Sequence, residues 1–385
     1  MLATEQSPVW FWQRILTPHM GALAAELVDQ GHAVTFVAND RMSVVRASQG
    51  WESPALGKAR FELASTSVEI QALVNAAQGD SIHLCQGLRG NGLVGKAQRL
   101  ISQRGLRHWA IMETVNDAGW SGAIKRGVYR GLFWSSHSSL QGVLAIGRGT
   151  LDWIVARGMP RSAVFSFAYF LRDPEDGVSV DSAFAGEDSR PFRFIFVGQL
   201  IERKRVDSLI EALSALNRTN VELWVVGSGP LEASLRAQSA QLLADCVNWL
   251  GVQPMSAVPA LIAQADCLVL PSRHDGWGAV VSEALMVGTP AICSDACGAS
   301  EAVLASQDGG VFPAGNTEAL RDCLARQVER GLMGADRRRA LAEWGHCLGA
   351  RAGAVYLSQL LQHQEGKAER PLAPWAIANT DRSIK

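Results

Sequence analysis

The strongest constraint on the fold is an alternation of short apolar runs with segments of helical period, which occurs in both halves of the chain. Near the start, Val9-Trp10-Phe11-Trp12 reads as a buried strand. Thr17 then stands where a helix cap belongs, with Pro18 at the first helical position. Met20, Leu23, Ala24, Leu27 and Val28 recur at a period of 3.6 until Gly31 stops the helix. Residues 33–37 form a second apolar run. A strand, a helix and another strand in this order build parallel sheets, because parallel neighbours need a crossover connection. Further strands are expected at 81–85 and 108–112, with a basic amphipathic helix at 95–103 between them.

The second half repeats the scheme. Strands are expected at 192–197, 221–226, 267–270 and 291–294, and helices at 205–216, 231–243, 258–265 and 280–287. Between the halves, the polar, Gly/Pro-punctuated stretch 171–191 reads as a linker. A chain of 385 residues exceeds the usual size of one hydrophobic core. The expectation is therefore two doubly wound α/β domains, 1–175 and 190–350. Residues 351–385 should add a C-terminal helix and a tail able to cross back to the first domain.

A composition of 48% hydrophobic and 19% charged residues excludes a disordered chain. The formal net charge of −1 gives no reason to expect nucleic acid. Residues 1–170 hold 16 Lys and Arg against 11 Asp and Glu, so the first half is basic and suits an anionic partner. Seven cysteines lie in apolar segments, and Cys293-x3-Cys297 lacks a second pair at ligand spacing, so buried thiols in a reducing compartment are expected. No signal-peptide pattern opens the sequence, and no run of about 18 apolar residues occurs. The expected location is the cytoplasm, with a peripheral place at the inner face of the membrane left open. For that option, Lys125-Arg126-Gly127-Val128-Tyr129-Arg130-Gly131-Leu132-Phe133-Trp134 mixes cations with interfacial aromatics. The other reading of this segment is a helix packed on the core with a solvated basic side.

The chemistry concentrates where strands run out into glycine. The 192–197 strand ends in Gly198 and is followed by Arg203-Lys204-Arg205, whose cations suit a diphosphate or simply a solvated helix start. Val226-Gly227-Ser228-Gly229-Pro230 is a second strand-to-glycine turn. The sharpest segment runs from Ala265 through Asp275-Gly276-Trp277-Gly278-Ala279-Val280 to Glu283. A strand enters a glycine-rich loop that opens a helix, and helix N-termini offer unpaired amides to anions. Asp275 and Glu283 can then face one ligand through its hydroxyls; alternatively they cap the loop and dress the helix surface.

These residues resemble the retaining family 4 glycosyltransferases of GT-B fold (glycosyl transferases group 1). That pattern, an acidic residue, Gly-x-Gly and a Glu eight positions on, reads here Asp275-Gly276-Trp277-Gly278 and Glu283-Ala284. Gly288-Thr289-Pro290 and Gly298-Ala299-Ser300-Glu301 follow it. The resemblance implies two Rossmann-like domains facing across a cleft. It also implies transfer of a sugar, with retention, from a nucleotide sugar to a glycan or lipid-linked acceptor in surface polysaccharide or glycolipid synthesis. Asp275 would meet the donor sugar, Glu283 the ribose, and the amides of 276–280 the distal phosphate. Lys204 and Arg203 would neutralise the leaving diphosphate, so no metal or other cofactor is expected. Gly198, Gly227, Gly229 and His19 would complete the donor side, and Glu113 would serve the acceptor as a carboxylate that orients or deprotonates its hydroxyl.

Three departures from the family stand out: Asp275 replaces the commoner Glu, Gln199 replaces an Arg, and Gln13-Arg14-Ile15-Leu16 replaces a Gly-Gly loop. The competing readings are a degenerate GT-B subunit that binds nucleotide or a partner without transfer, and another GT-B enzyme such as a phosphorylase or epimerase. No lysine in a pyridoxal-binding context supports a phosphorylase.

Overall fold

A computed structural model describes residues 6–40, 42, 50–115, 117, 119–173 and 190–382. Most of the expected linker, residues 174–189, lies outside the described residues. The chain divides into two compact units. One gathers the described residues of Met1–Val44, Ser53–Arg172 and Ala350–Pro374; the other gathers those of Val45–Glu52, Asp173–Gly349 and Trp375–Lys385.

The first unit is built on seven parallel strands: β1 (Val9–Ile15), β2 (Val34–Asp40), β3 (Arg60–Leu63), β4 (Ile82–Gln86), β5 (Arg107–Glu113), β6 (Leu140–Ile146) and β7 (Val164–Phe167). Their order is β3-β2-β1-β4-β5-β6-β7. The apolar runs of β1 and β5 are buried on both faces, as parallel strands covered by helices must be; Trp12 and Trp109 are wholly enclosed. A helix at Ser67–Ala76 opens with a full capping box, in which the Thr66 hydroxyl accepts from the Glu69 amide while the Glu69 carboxylate accepts from the Thr66 amide. The helix Ala350–Gln364 belongs to this unit: the Tyr356 hydroxyl donates to the Ser166 carbonyl at 3.0 Å, and Gly353 lies flat against Phe170.

The second unit repeats the plan with β8 (Phe192–Val197), β9 (Val221–Val226), β10 (Val247–Gly251), β11 (Cys267–Leu270), β12 (Ala291–Ser294) and β13 (Gly309–Phe312). All its ladders are parallel, and the order is β10-β9-β8-β11-β12-β13. In both sheets the winding reverses after the first strand, at β1/β4 and at β8/β11. Open parallel sheets bind ligands beyond the carboxyl ends of the strands at such a reversal.

Two expectations from the sequence need correction. Residues 13–15 of the supposed loop are the end of β1. Thr17 does occupy the N-cap of the Pro18–Asp29 helix, but its side chain makes no capping hydrogen bond; the hydroxyl lies 3.2 Å from His19 Nε2. Pro18 fits the first helical position, where no amide is needed, and the Thr17 hydroxyl is engaged by the His19 ring instead of a backbone amide.

Candidate active site

The second unit brings together three of the predicted residues at its switch point. Lys204 closes a short 3₁₀ turn after β8, and Asp275 lies in the loop after β11. Lys204 Nζ donates to Asp275 Oδ2 at 2.6 Å, with the two side chains only 13% and 14% exposed. Arg203, 44% exposed, stands 3.6 Å from the same oxygen and donates to the His274 carbonyl at 2.6 Å. Two cations therefore converge on one carboxylate. Ser272, wholly buried and not singled out in the sequence, lies 3.5 Å from that oxygen as well.

The loop is held from its other side. The Asp275 amide donates to the Ala296 carbonyl at 3.1 Å, and the Gly298 amide donates to the Asp275 carbonyl at 3.0 Å. These bonds tie the loop to the turn after β12 and fix the direction of the Asp275 side chain. Gly278 then caps the helix Ala279–Met286 in the left-handed region, at φ 88°. A methyl there would stand 2.7 Å from Cys297 Sγ and 2.8 Å from a Leu270 methyl, so only glycine fits. Gly276, Ala279 and Val280 are half-buried along this stretch. The Trp277 side chain turns away from the surface of the loop. It is fully buried, donates to Ser282 Oγ at 2.9 Å and packs on Trp375, so only its backbone remains for a ligand.

Glu283 sits one turn into this helix and shares no hydrogen bond or ion pair with Lys204 or Asp275. The residue is half-buried, and among the described residues its carboxyl has no partner. Withdrawal from water pushes its pKa up to about 7. Gly198 and Gly227 serve the protein before any ligand. The Gly198 amide donates to the Val226 carbonyl at 3.0 Å, and a methyl on Gly227 would stand 2.0 Å from the Gly198 carbonyl oxygen. Gly229 likewise presses on the Leu200 backbone, so these glycines let two strand-end loops touch.

In the first unit, His19 and Glu113 meet through a residue the sequence did not mark. The Tyr169 hydroxyl donates to Glu113 Oε1, and the Tyr169 ring stacks on His19 with centroids 3.8 Å apart. Asp117 is engaged elsewhere, accepting from Trp153 Nε1 at 3.0 Å and from Arg157. Nothing local announces Tyr169, which gains its position only because β7 carries it to the carboxyl edge of the sheet. Among the described residues, no group of three or more His, Cys, Asp or Glu is placed to hold a metal ion. All seven cysteines are free thiols.

Residues 180–344 match the family profile described as Glycosyl transferases group 1. The amylovoran biosynthesis glycosyltransferase AmsK of Erwinia amylovora is 31% identical over 146 residues, 36% of each chain. The alpha-D-kanosaminyltransferase of Streptomyces kanamyceticus is 27% identical over 180 residues, 44% of this chain and 46% of that one. The chain thus spans less than half the length of these curated relatives. Among solved structures, HepE of Anabaena in complex with UDP superposes with a TM-score of 0.69 at 14% identity, covering 92% of this chain and 100% of that one. The apo lipopolysaccharide outer core galactosyltransferase WaaB gives 0.66 at 16% identity, covering 93% and 100%. At such identities the likeness speaks for the fold alone, and that fold is the α/β GT-B class with two parallel-sheet Rossmann-like units. Residues 180–344 of this chain are accordingly a glycosyl transferases group 1 domain, carried in a protein of GT-B fold.

Proposed function

We propose that this chain is a retaining hexosyltransferase that moves a sugar from a nucleotide sugar to a glycan or lipid-linked acceptor in surface polysaccharide or glycolipid synthesis. The observation that carries the reading is the convergence of Lys204 and Arg203 on Asp275 at the β8/β11 switch point, inside the family-matched domain. In the reaction the bond from the anomeric carbon to the diphosphate breaks while the acceptor oxygen bonds to that carbon from the same face. The acceptor's proton passes to the departing phosphate. Lys204 and Arg203 meet the charge that builds on that phosphate, which is the work a metal ion does elsewhere, and the reaction is proposed to need none. Asp275 holds the sugar hydroxyls, Glu283 the ribose diol, and the 276–280 amides the distal phosphate. Glu113, oriented by Tyr169 and flanked by His19, faces the acceptor hydroxyl.

The test is a calorimetric screen of nucleoside diphosphates and nucleotide sugars, followed by turnover with the donor that binds. One nucleotide should bind clearly, and tighter at pH 8 than at pH 6. Hydroxyl donors favour the ionised Glu283, whose pKa of about 7 makes ionisation at pH 6 cost about a factor of ten. E283Q should abolish that pH dependence. E113Q and Y169F should keep nucleotide affinity and lose turnover, and EDTA should leave turnover intact. Binding without turnover of any donor would indicate a degenerate subunit, and inactivation by EDTA would overturn the metal-free reaction.

A membrane-side acceptor is supported by the helix Gly119–Ser136. Tyr129 and Phe133 pack into the core, while Trp120 (83% exposed), Ile124, Val128 and Trp134 (78% exposed) form an outward apolar stripe flanked by Arg126 and Arg130. Indole rings beside arginines suit the boundary of an anionic bilayer. Among the described residues, no helix is long and apolar enough to cross one. The chain should float with vesicles containing anionic phosphatidylglycerol, and W120A/W134A should reduce the bound fraction severalfold. Equal flotation of the variant would remove this helix from the proposal.

A further inference from the structure

We propose that the second unit carries a phosphate-binding pocket at the edge of its sheet opposite Lys204 and Asp275. Phe192, Asp266 and Pro290 stand at the amino-terminal starts of β8, β11 and β12, whereas Gly198 and the Asp275 loop follow the carboxyl ends of β8 and β11. In a parallel sheet those are opposite edges. At the amino edge a cavity of about 100 Å³ is lined by Asp266, Gln327, Arg330, Arg337 and the 331–334 turn. Pockets for whole small molecules run from about 300 to 1,000 Å³, so this one admits a single tetrahedral oxyanion and not a nucleotide.

Its charge points the same way. Asp266 is saturated: its carboxylate accepts from Arg190 at 2.6 and 2.7 Å, from the Arg193 amide at 2.8 Å and from Arg338 at 3.2 Å. Those four bonds fill the oxygens of a carboxylate. Arg337 is paired with Asp308. Arg330 has no ion pair among the described residues. Gln327 is only 6% exposed, yet its carboxamide has no hydrogen-bond partner among the described residues. Its amide atoms are open to the cavity rather than sealed in the core, so their hydrogen-bonding capacity is available to a ligand. The cavity wall thus presents two guanidinium groups, Arg330 and Arg337, beside a carboxylate, Asp266, whose oxygens are already filled. A phosphate carries about −1.5 to −2 at neutral pH and offers the oxygens that Arg330 and Gln327 lack.

Because β11 runs from Asp266 to the Asp275 loop, a ligand here touches the start of the strand whose far end serves the donor. The pocket itself does not depend on the reading of the donor side. The phosphate comes either as the free ion or on a small phosphomonoester, and the experiment separates the two.

Inorganic phosphate and glycerol 3-phosphate are titrated against the whole chain, with hydrogen exchange followed peptide by peptide. Peptides 198–205 report any competing binding at the donor side in the same experiment. At least one ligand should slow exchange over residues 327–337, and the tighter of the two identifies the source. R330Q, at an exposed position where folding is not at risk, should weaken that protection about tenfold or more, and Q327L should weaken it less. Protection confined to residues 198–205, no protection by either ligand, or unchanged affinity in R330Q would each overturn the proposal.

Discussion

K204M is expected to lower the rate of sugar transfer about 10²- to 10³-fold while leaving the fold and much of the nucleotide affinity in place. The ground for this expectation is differential binding. The diphosphate gains negative charge as the anomeric bond breaks, so a fixed cation beside it stabilises the transition state more than the bound donor. Lys204 is suited to that work because it is held. Its ammonium lies 2.6 Å from Asp275 and is largely enclosed, so the charge needs no ordering when the donor arrives and is little screened. Arg203 is 44% exposed and 3.6 Å away, and water and salt share its charge. R203Q should therefore cost much less, about tenfold.

The ordering of the two effects is the decisive reading. A K204M chain that keeps more than a tenth of the wild-type turnover, or an R203Q chain that loses more than K204M, would move the diphosphate away from Lys204. A confounding structural effect is separable. K204M leaves Asp275 half-enclosed without its closest partner, and K204M/D275N removes both charges. If K204M fails only because the loop collapses, the double variant should recover the melting temperature and the nucleotide affinity together. If the ammonium is needed for the chemistry, K204M alone keeps most of the nucleotide affinity and still loses turnover.

Much of this site was readable before any coordinates, and the reason is local. The 192–197, 221–226, 267–270 and 291–294 runs coincide with β8, β9, β11 and β12, because parallel strands covered on both faces are mostly apolar; the charged exceptions, Arg193 in β8 and Glu222 in β9, pair with each other. Asp275, Gly278 and Glu283 belong to one continuous segment, so their relation is set by a loop and a helix turn. Elements with mixed patterns were missed. β3 reads Arg-Phe-Glu-Leu on a sheet edge, and β13 begins with two glycines, so neither carries a buried-strand signature. The Thr66-x-x-Glu69 capping box was present in the letters and went unused. Tyr169 was beyond local reading altogether: it joins residues following β1 and β5 only through the order of the sheet. The packing of the Trp277 indole was not legible either: an aromatic between two glycines does not say which way it points, and the loop turns it inward onto Ser282 and Trp375.

Acidification should move the stabilities of the two units in opposite directions. In the first unit His83 is enclosed, accepting from Trp12 Nε1 at Nδ1 (2.9 Å) with Nε2 2.9 Å from Ser81 Oγ. Burial, with the neighbouring His108, Arg104 and Arg107, lowers its pKa to about 3, and burial lowers that of His108 to about 4, against 6.5 in the open chain. Both rings are neutral when folded, so the unfolded chain binds the extra protons. Their stabilising effect is present above pH 6.5 and is lost as pH falls below it. Between pH 7 and 5 the two rings together remove about 3–4 kcal/mol. In the second unit Glu283 does the reverse, since its folded pKa of about 7 lies above the unfolded 4.5 and the folded form binds the proton. That term is full below pH 4.5 and is lost as pH rises through 7, so the same acidification adds about 2 kcal/mol. Hydrogen exchange corrected for intrinsic rates should show amides of β4 and β5 losing protection from pH 7 to 5, while those of the Ala279–Met286 helix gain it. H83Q, whose amide can bond both Trp12 and Ser81 without titrating, should halve the first effect and leave the second. Parallel changes in the two units, or an H83Q chain as acid-sensitive as the wild type, would show that these buried groups do not set the response.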